Sequence, residues 1–368
     1  MNGLIKRKSI FYAVFMLTLV FMLAACGGEQ TAPQGTSSNA VSPSENTDVK
    51  EAEDVIEWDM SLWGGPREVT YPVEDWAKDM FEQTDGRWKI TLHYGEAISP
   101  AVDNLDGISS GLFEASLLAP FYTPGVLPLN QVMDLPFIAP LDTEELSLFQ
   151  KAAWEHPAIR AELEQYNAIP LLHSIPPQYE YMGTKRIEKA EDFAGVRISG
   201  MSADIGRAFE KFGAVPTPMP APELYSSLDR GTIDGAIFPM SYGYGAYKLY
   251  EVSQYTTVGI ASGSPASFYI ANKDAWNALP DDIKEIHNKY MEDWHVKNAA
   301  PHKVADEKYI PIFKEETEYI EFPTEEREKL MEASQDVWDE WVQKYADRGP
   351  TQEILDYMLE KRKEISGF

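Results

Sequence analysis

The chain is poor in cysteine and in positive charge, and it lacks the short motifs that carry common chemistry. Cys26 is its one cysteine in 368 residues, so no internal disulfide can form. Lys and Arg total 32 against 59 Asp and Glu, a formal charge of −27. That balance excludes nucleic acid as a partner, because phosphate backbones need a basic footprint. It also excludes adhesion to anionic lipid through a polybasic face. A solvated acidic surface accounts for it. No Gly-rich phosphate loop and no G-x-S-x-G occurs, and the lone Cys is not in a catalytic setting. The six histidines (93, 156, 173, 287, 295 and 302) make no metal motif. No metal, cofactor or catalytic residue is therefore expected.

The apolar run at the N-terminus is short for a transmembrane helix, which needs about 20 residues. The N-terminus itself has export character. Lys6, Arg7 and Lys8 precede an almost wholly apolar stretch over residues 10–25. Leu23-Ala24-Ala25-Cys26-Gly27 follows, with small residues where a signal peptidase would cut. This end resembles the lipobox of bacterial lipoproteins, which implies removal of residues 1–25 and lipid on Cys26. Residues 26–54 are rich in Gly, Ser, Thr, Asn, Gln, Pro and Glu. Too little apolar surface is present to offset the entropy of ordering them, so they read as a flexible tether.

The remaining residues from 55 onward are enough for two cores. Residues 55–63 alternate (Ile56, Trp58, Met60, Leu62) and read as a strand. Val73, Trp76, Ala77, Met80 and Phe81 are spaced as one helix face, and Thr84-Asp85-Gly86 is a turn. Residues 88–94 alternate again, which gives β-α-β and an α/β fold class. Further strands are predicted at 179–183, 196–199 and 267–271, with helices at 143–155, 202–212 and 222–230. From 280 on the pattern is long, charged and helical, broken at Arg348-Gly349-Pro350.

Six segments in order carry a family resemblance. They are Thr84-Asp85-Gly86-Arg87-Trp88-Lys89-Ile90, the stretch 128–137 ending Leu135-Pro136-Phe137, and Ala190-Glu191-Asp192-Phe193-Ala194-Gly195-Val196-Arg197-Ile198. The others are Phe212-Gly213-Ala214-Val215-Pro216-Thr217-Pro218-Met219-Pro220, the stretch 229–235 ending Asp234-Gly235, and Trp276-Asn277-Ala278-Leu279-Pro280. Together they resemble the DctP-type solute-binding proteins of TRAP transporters over most of residues 55–345. The resemblance implies a two-lobed periplasmic-binding-protein-like α/β fold with a long helix crossing both lobes. It implies a small organic solute bound between the lobes and TRAP membrane subunits as partners, outside the cytoplasmic membrane. On that reading residues 55–175 are lobe I and 176–262 are lobe II. Residues 263–368 return a strand to lobe I and add helices on both.

Three positions depart from the family pattern. Its usual carboxylate-binding Arg falls at Ser199, with Arg197 two residues before it on the same strand face. A second Arg position falls at Tyr179, and an Asn position at Phe238. Hydroxyls and rings would pull less on an anion than a bidentate Arg does, and would favour flat apolar or cationic groups. A simple C4-dicarboxylate is therefore not the expected solute, unless Arg197 turns into the cleft and restores a conventional clamp. The candidate solute contacts are Trp63, Phe121, Tyr179, Tyr181, Arg197, Ser199, Phe238 and Tyr242. An enzyme or a non-transport surface lipoprotein remains the alternative of another class.

Overall fold

A computed structural model describes residues 55–199 and 202–367. The signal segment, Cys26 and the tether lie outside the described residues. Eleven strands form two sheets. The strands are β1 (Ile56–Ser61), β2 (Trp88–His93), β3 (Ala115–Leu118), β4 (Ala168–Ser174), β5 (Tyr179–Gly183), β6 (Arg197–Ser199), β7 (Val215–Pro216), β8 (Gly235–Pro239), β9 (Tyr255–Val258), β10 (Ser267–Asn272) and β11 (Glu318–Glu321).

The first sheet has the order β2-β1-β3-β10-β4 and the second β11-β9-β5-β8-β6-β7. In the first, β1 runs parallel to β2 and β3, while β10 runs antiparallel to β3 and β4. In the second, β8, β6 and β7 are parallel, and β5 is antiparallel to both β8 and β9. The chain thus passes between sheets three times, after β4, after β9 and after β10. β10 belongs to the first sheet although it follows the strands of the second.

Burial explains why some strands show no alternation in sequence. Phe268 and Ile270 of β10 enter one core cluster, and Tyr269 and Ala271 enter another. The first sheet is covered on both faces, so β3 and β4 read as apolar runs rather than as a period of two. The second sheet packs around Tyr181, Phe193, Phe209, Ile237 and Leu224. The helix Trp294–Glu316 touches β4 and the helix Thr143–Glu155 at one end and Tyr242–Ala246 and β11 at the other. It crosses from one lobe to the other, and its two internal prolines, Pro301 and Pro311, remove two helical N–H donors. Among the described residues no helix is long and apolar enough to cross a membrane.

The passage after β9 is held by a buried acid. Glu180 of β5 accepts hydrogen bonds at one oxygen, Oε2, from Ile260 N (2.9 Å) and Ala261 N (3.1 Å). Burial pushes its carboxyl up to about 7, against the pull of those donors and of Arg327. The folded protein therefore holds this proton between the ordinary 4.5 and about 7, where the unfolded chain has released it. Its contribution to stability falls as pH rises through that window, by up to about 1.4 kcal/mol per pH unit. Glu180→Gln keeps an acceptor oxygen and cannot titrate. Urea melts at pH 5 and pH 7.5 are expected to show the variant gaining about 2 kcal/mol on wild type between the two. An unchanged difference would mean that Glu180 is ionised throughout.

Candidate functional site

The two sheets face each other across a cavity built from the ends of their strands. Trp63 follows β1, Leu117 lies in β3, Phe121 and Tyr122 follow it, and Ser174 closes β4. From the second sheet come Tyr179, at the start of β5, and Phe238 and Pro239, at the end of β8. Tyr242 and Tyr247 complete that wall. About 430 Å³ of space, open solvent at the mouth included, lies between these walls. Strand ends are where an open α/β sheet leaves a crevice for ligands.

The rings brace each other edge-on. Trp63 meets Tyr122 at 5.5 Å between centroids, Phe121 meets Tyr122 at 4.8 Å, and Phe238 meets Tyr247 at 5.7 Å. Such contacts fix the rings and present flat faces inward. Tyr122 also spans the lobes, its hydroxyl accepting from Ala221 N at 3.4 Å. The hydroxyls of Tyr247 and Ser174 are buried with no hydrogen-bond partner among the described residues. Two cavity-lining groups thus stand ready for a solute.

The charge in this cavity belongs to Arg67, which is only 7% exposed. The loop Trp63-Gly64-Gly65-Pro66 wraps its guanidinium. Nη1 donates to Trp63 O (3.0 Å) and Gly65 O (2.8 Å), and Nε is buried without a partner. Gly64 has φ +68, and a Cβ there would sit 2.6 Å from Nη1. Only glycine both adopts that conformation and clears the guanidinium. No carboxylate lies within 4 Å of Arg67 among the described residues. Its neighbour Glu68 is matched instead by Lys308, at 2.9 Å. Burial pushes the phenols of Tyr122, Tyr242, Tyr247 and Tyr269 up, and Arg67 pulls each of them back down. Glu96 opposes it at Tyr122 and Tyr247, but its Oε1 is engaged by Ala101 N at 2.8 Å. The centre of the cavity therefore carries one buried positive charge ringed by neutral phenols.

Five of the eight sequence candidates line this cavity: Trp63, Phe121, Tyr179, Phe238 and Tyr242. Three do not. Tyr181 is fully buried, with its ring over the paired glycines Gly183 and Gly235. Arg197 is spent on Asp234, which it grips through Nε and Nη2, both at 2.9 Å, with its side chain 42% exposed. Ser199 is enclosed beside β8, its hydroxyl unpartnered. The tri-proline segment contributes through Ala221, directly after Pro220. Arg67 is the residue that the sequence motifs passed over. Its available signal was the Trp-Gly-Gly-Pro turn at the end of the first strand. Among the described residues no group of three or more His, Cys, Asp or Glu could hold a metal.

Comparison with known proteins gives a consistent picture. The model of the DctP family, described as bacterial extracellular solute-binding protein, family 7, matches residues 67–344. An ectoine/5-hydroxyectoine-binding periplasmic protein of Ruegeria pomeroyi is 24% identical over 261 residues, covering 70% of this chain and 76% of that protein. A monocarboxylate 2-oxoacid-binding periplasmic protein of Nostoc sp. is 26% identical over 292 residues, 76% of this chain and 73% of that one. Among solved structures, a TRAP periplasmic solute-binding protein from Desulfovibrio salexigens with bound orotic acid superposes with a TM-score of 0.76. Its sequence identity is 19%, over 84% of this chain and 99% of the other.

Proposed function

The chain belongs to the DctP family of bacterial extracellular solute-binding proteins, and from that premise we propose that it is the receptor of a TRAP transporter for a small monocarboxylate with a flat or apolar body. Family members are receptors and not enzymes, and this chain captures its solute without chemical change. The observation that carries the reading is Arg67, a buried guanidinium facing the cavity with no acid to balance it. A buried unpaired charge costs several kcal/mol, and an incoming carboxylate removes that cost while gaining charge-assisted hydrogen bonds. Trp63, Phe238 and Tyr179 supply faces for the rest of the solute. A monocarboxylate 2-oxoacid is named for one relative and orotic acid for one structural neighbour, which accords with an acid-bearing solute.

A second carboxylate on the solute would find no cation. Arg197 is held by Asp234, and Ser199 stands at the family's usual clamp position. Burying it unpaired would oppose binding. A thermal-stabilisation panel of 2-oxo acids and aromatic monocarboxylates beside succinate and malate tests the reading. The best monocarboxylate is expected to bind at least tenfold more tightly than either C4-dicarboxylate in follow-up calorimetry. Tight succinate binding would overturn the assignment.

We place the receptor outside the cytoplasmic membrane, anchored by lipid on Cys26, on the strength of the basic, apolar and Leu-Ala-Ala-Cys sequence at the N-terminus. Cys26→Ser is expected to leave the protein unprocessed or to move it from the membrane fraction to the soluble one. Unchanged processing and fractionation would rule the anchor out.

A further inference from the structure

A second and larger cavity lies against the segments that join the two sheets. It encloses about 860 Å³, mouth included, twice the space of the cleft. Phe137, Pro140, Leu141 and Met331 form its apolar wall, and two guanidiniums enter it: Arg327 from the helix Thr324–Lys344 and Arg362 from the helix Thr351–Ser366.

Neither guanidinium has a carboxylate within 4 Å among the described residues, in a chain with 59 acidic side chains. Arg327 donates to Ile260 O (3.1 Å) and to the sulfur of Met331 (2.9 Å), a weak acceptor, and lies 5.4 Å over the ring of Phe137. Arg362 donates to Phe137 O (3.2 Å), and its Nε is buried without a partner. The hydroxyl of Ser366, in the same wall, is also buried and unpartnered. Burial holds both guanidiniums below their ordinary range; Glu180 and Glu328 pull Arg327 back up, and Arg362 pushes it down. Two like charges on an apolar wall with no carboxylate in direct contact are costly. Two acids also line the cavity. Asp142 is occupied in capping the helix Thr143–Glu155, at 2.8 Å from Glu144 N and 3.1 Å from Glu145 N, and Glu145 stands on that helix. Leu141 is 57% exposed at this wall, a large apolar side chain left open to water.

We propose that this cavity is a second binding site, for an amphiphilic monocarboxylate whose head bridges Arg327 and Arg362. Its apolar body covers Leu141, Pro140 and Met331. The site stands independently of the cleft assignment. It also sits on the hinge. Phe137, in the loop before the helix Thr143–Glu155, donates its N–H to Ser262 O at 2.8 Å, tying that loop to the segment that joins β9 to β10. Phe137 and Ala261 are non-glycine residues at φ 58 and 44, held there by these same contacts. A head group that draws the guanidiniums off the carbonyls of Ile260 and Phe137 therefore loosens the tie between that loop and the β9–β10 segment.

Octanoate is the probe, titrated by calorimetry into Arg67→Met, in which the cleft has lost its cation. One octanoate per chain is expected to bind, with octanol (the body without the charge) and inorganic phosphate (the charge without the body) each at least tenfold weaker. Arg362→Met in the same background is expected to cost at least tenfold in octanoate affinity. Should that variant melt early, Leu141→Glu at the mouth makes the same test without touching a structural hydrogen bond. No octanoate binding, binding that survives both substitutions, or phosphate as tight as octanoate would each overturn the proposal.

Discussion

Arg67→Met is expected to weaken monocarboxylate capture at least a hundredfold while leaving the empty protein as stable as wild type or more so. Truncating one partner of a buried, hydrogen-bonded charge pair costs 2–5 kcal/mol, and about 2.7 kcal/mol is a hundredfold. The stability arm runs the other way. Among the described residues the guanidinium is buried with no carboxylate partner, and Nε makes no hydrogen bond. Methionine fills most of the stem's volume without that charge. Its loss is offset only by the two carbonyls, of Trp63 and Gly65, that the guanidinium now satisfies. Arg67→Lys keeps the charge but not the two-pronged grip, so an intermediate loss of affinity is expected. Calorimetry gives the affinity and a melt of the empty protein gives the stability. A role confined to structure would lower the melting temperature and spare the affinity, and that pattern would contradict the assignment.

Gly183→Ala is expected to be among the most damaging single substitutions in the second sheet. Gly183 pairs with Gly235 across β5 and β8. A Cβ on Gly183 would sit 2.4 Å from Asp234 O and 2.6 Å from Gly235 Cα. Both are backbone atoms of the neighbouring strand, so relief requires the strands to part. Overpacking of this kind costs about 3 kcal/mol, or roughly 4–5 °C in melting temperature for a folded body of this size. Tyr181→Phe provides the contrast. It removes a hydroxyl that makes only long contacts, 3.5 Å to Asp234 O and 3.3 Å from Lys185 N. A small loss of stability and no change in solute affinity are expected. A tenfold loss of affinity in Tyr181→Phe, with the melt unchanged, would mean that this tyrosine reaches the solute.

The contrast between Tyr179 and Tyr181 shows where sequence reading stops. A period of two places both on one strand face, and the residues were indistinguishable on that basis. Tyr179 begins β5 and so reaches the cavity, whereas Tyr181 lies where two glycines leave room for a ring to cover them. Arg197 poses the same difficulty over a longer span. Nothing local to β6 reveals that Asp234, next to β8, takes up its guanidinium. The strand that follows the first helix and the helix Thr143–Glu155 were legible because each has a surface-facing side that keeps the periodicity visible. β3 and β4 were not, since all of β3 and most of β4 is buried. The family motifs pointed to the two-lobed frame and to Tyr179 and Phe238, while Trp63 came from the end of the first strand and Phe121 and Tyr242 from the clustering of aromatic residues. The motifs could not locate Arg67, which is placed by a glycine turn joining β1 to the next helix and which takes its meaning from having no carboxylate within 4 Å among the described residues.

The most direct measurement is a crystal structure of the protein with the monocarboxylate that stabilises it most. The solute should lie between the two sheets, its carboxylate within 3.2 Å of the Arg67 guanidinium, a normal charge-assisted hydrogen bond. Its body should lie against Trp63, Tyr179 and Phe238. A carboxylate held instead at Arg197 or Ser199, with Arg67 still facing an empty space, would contradict the account.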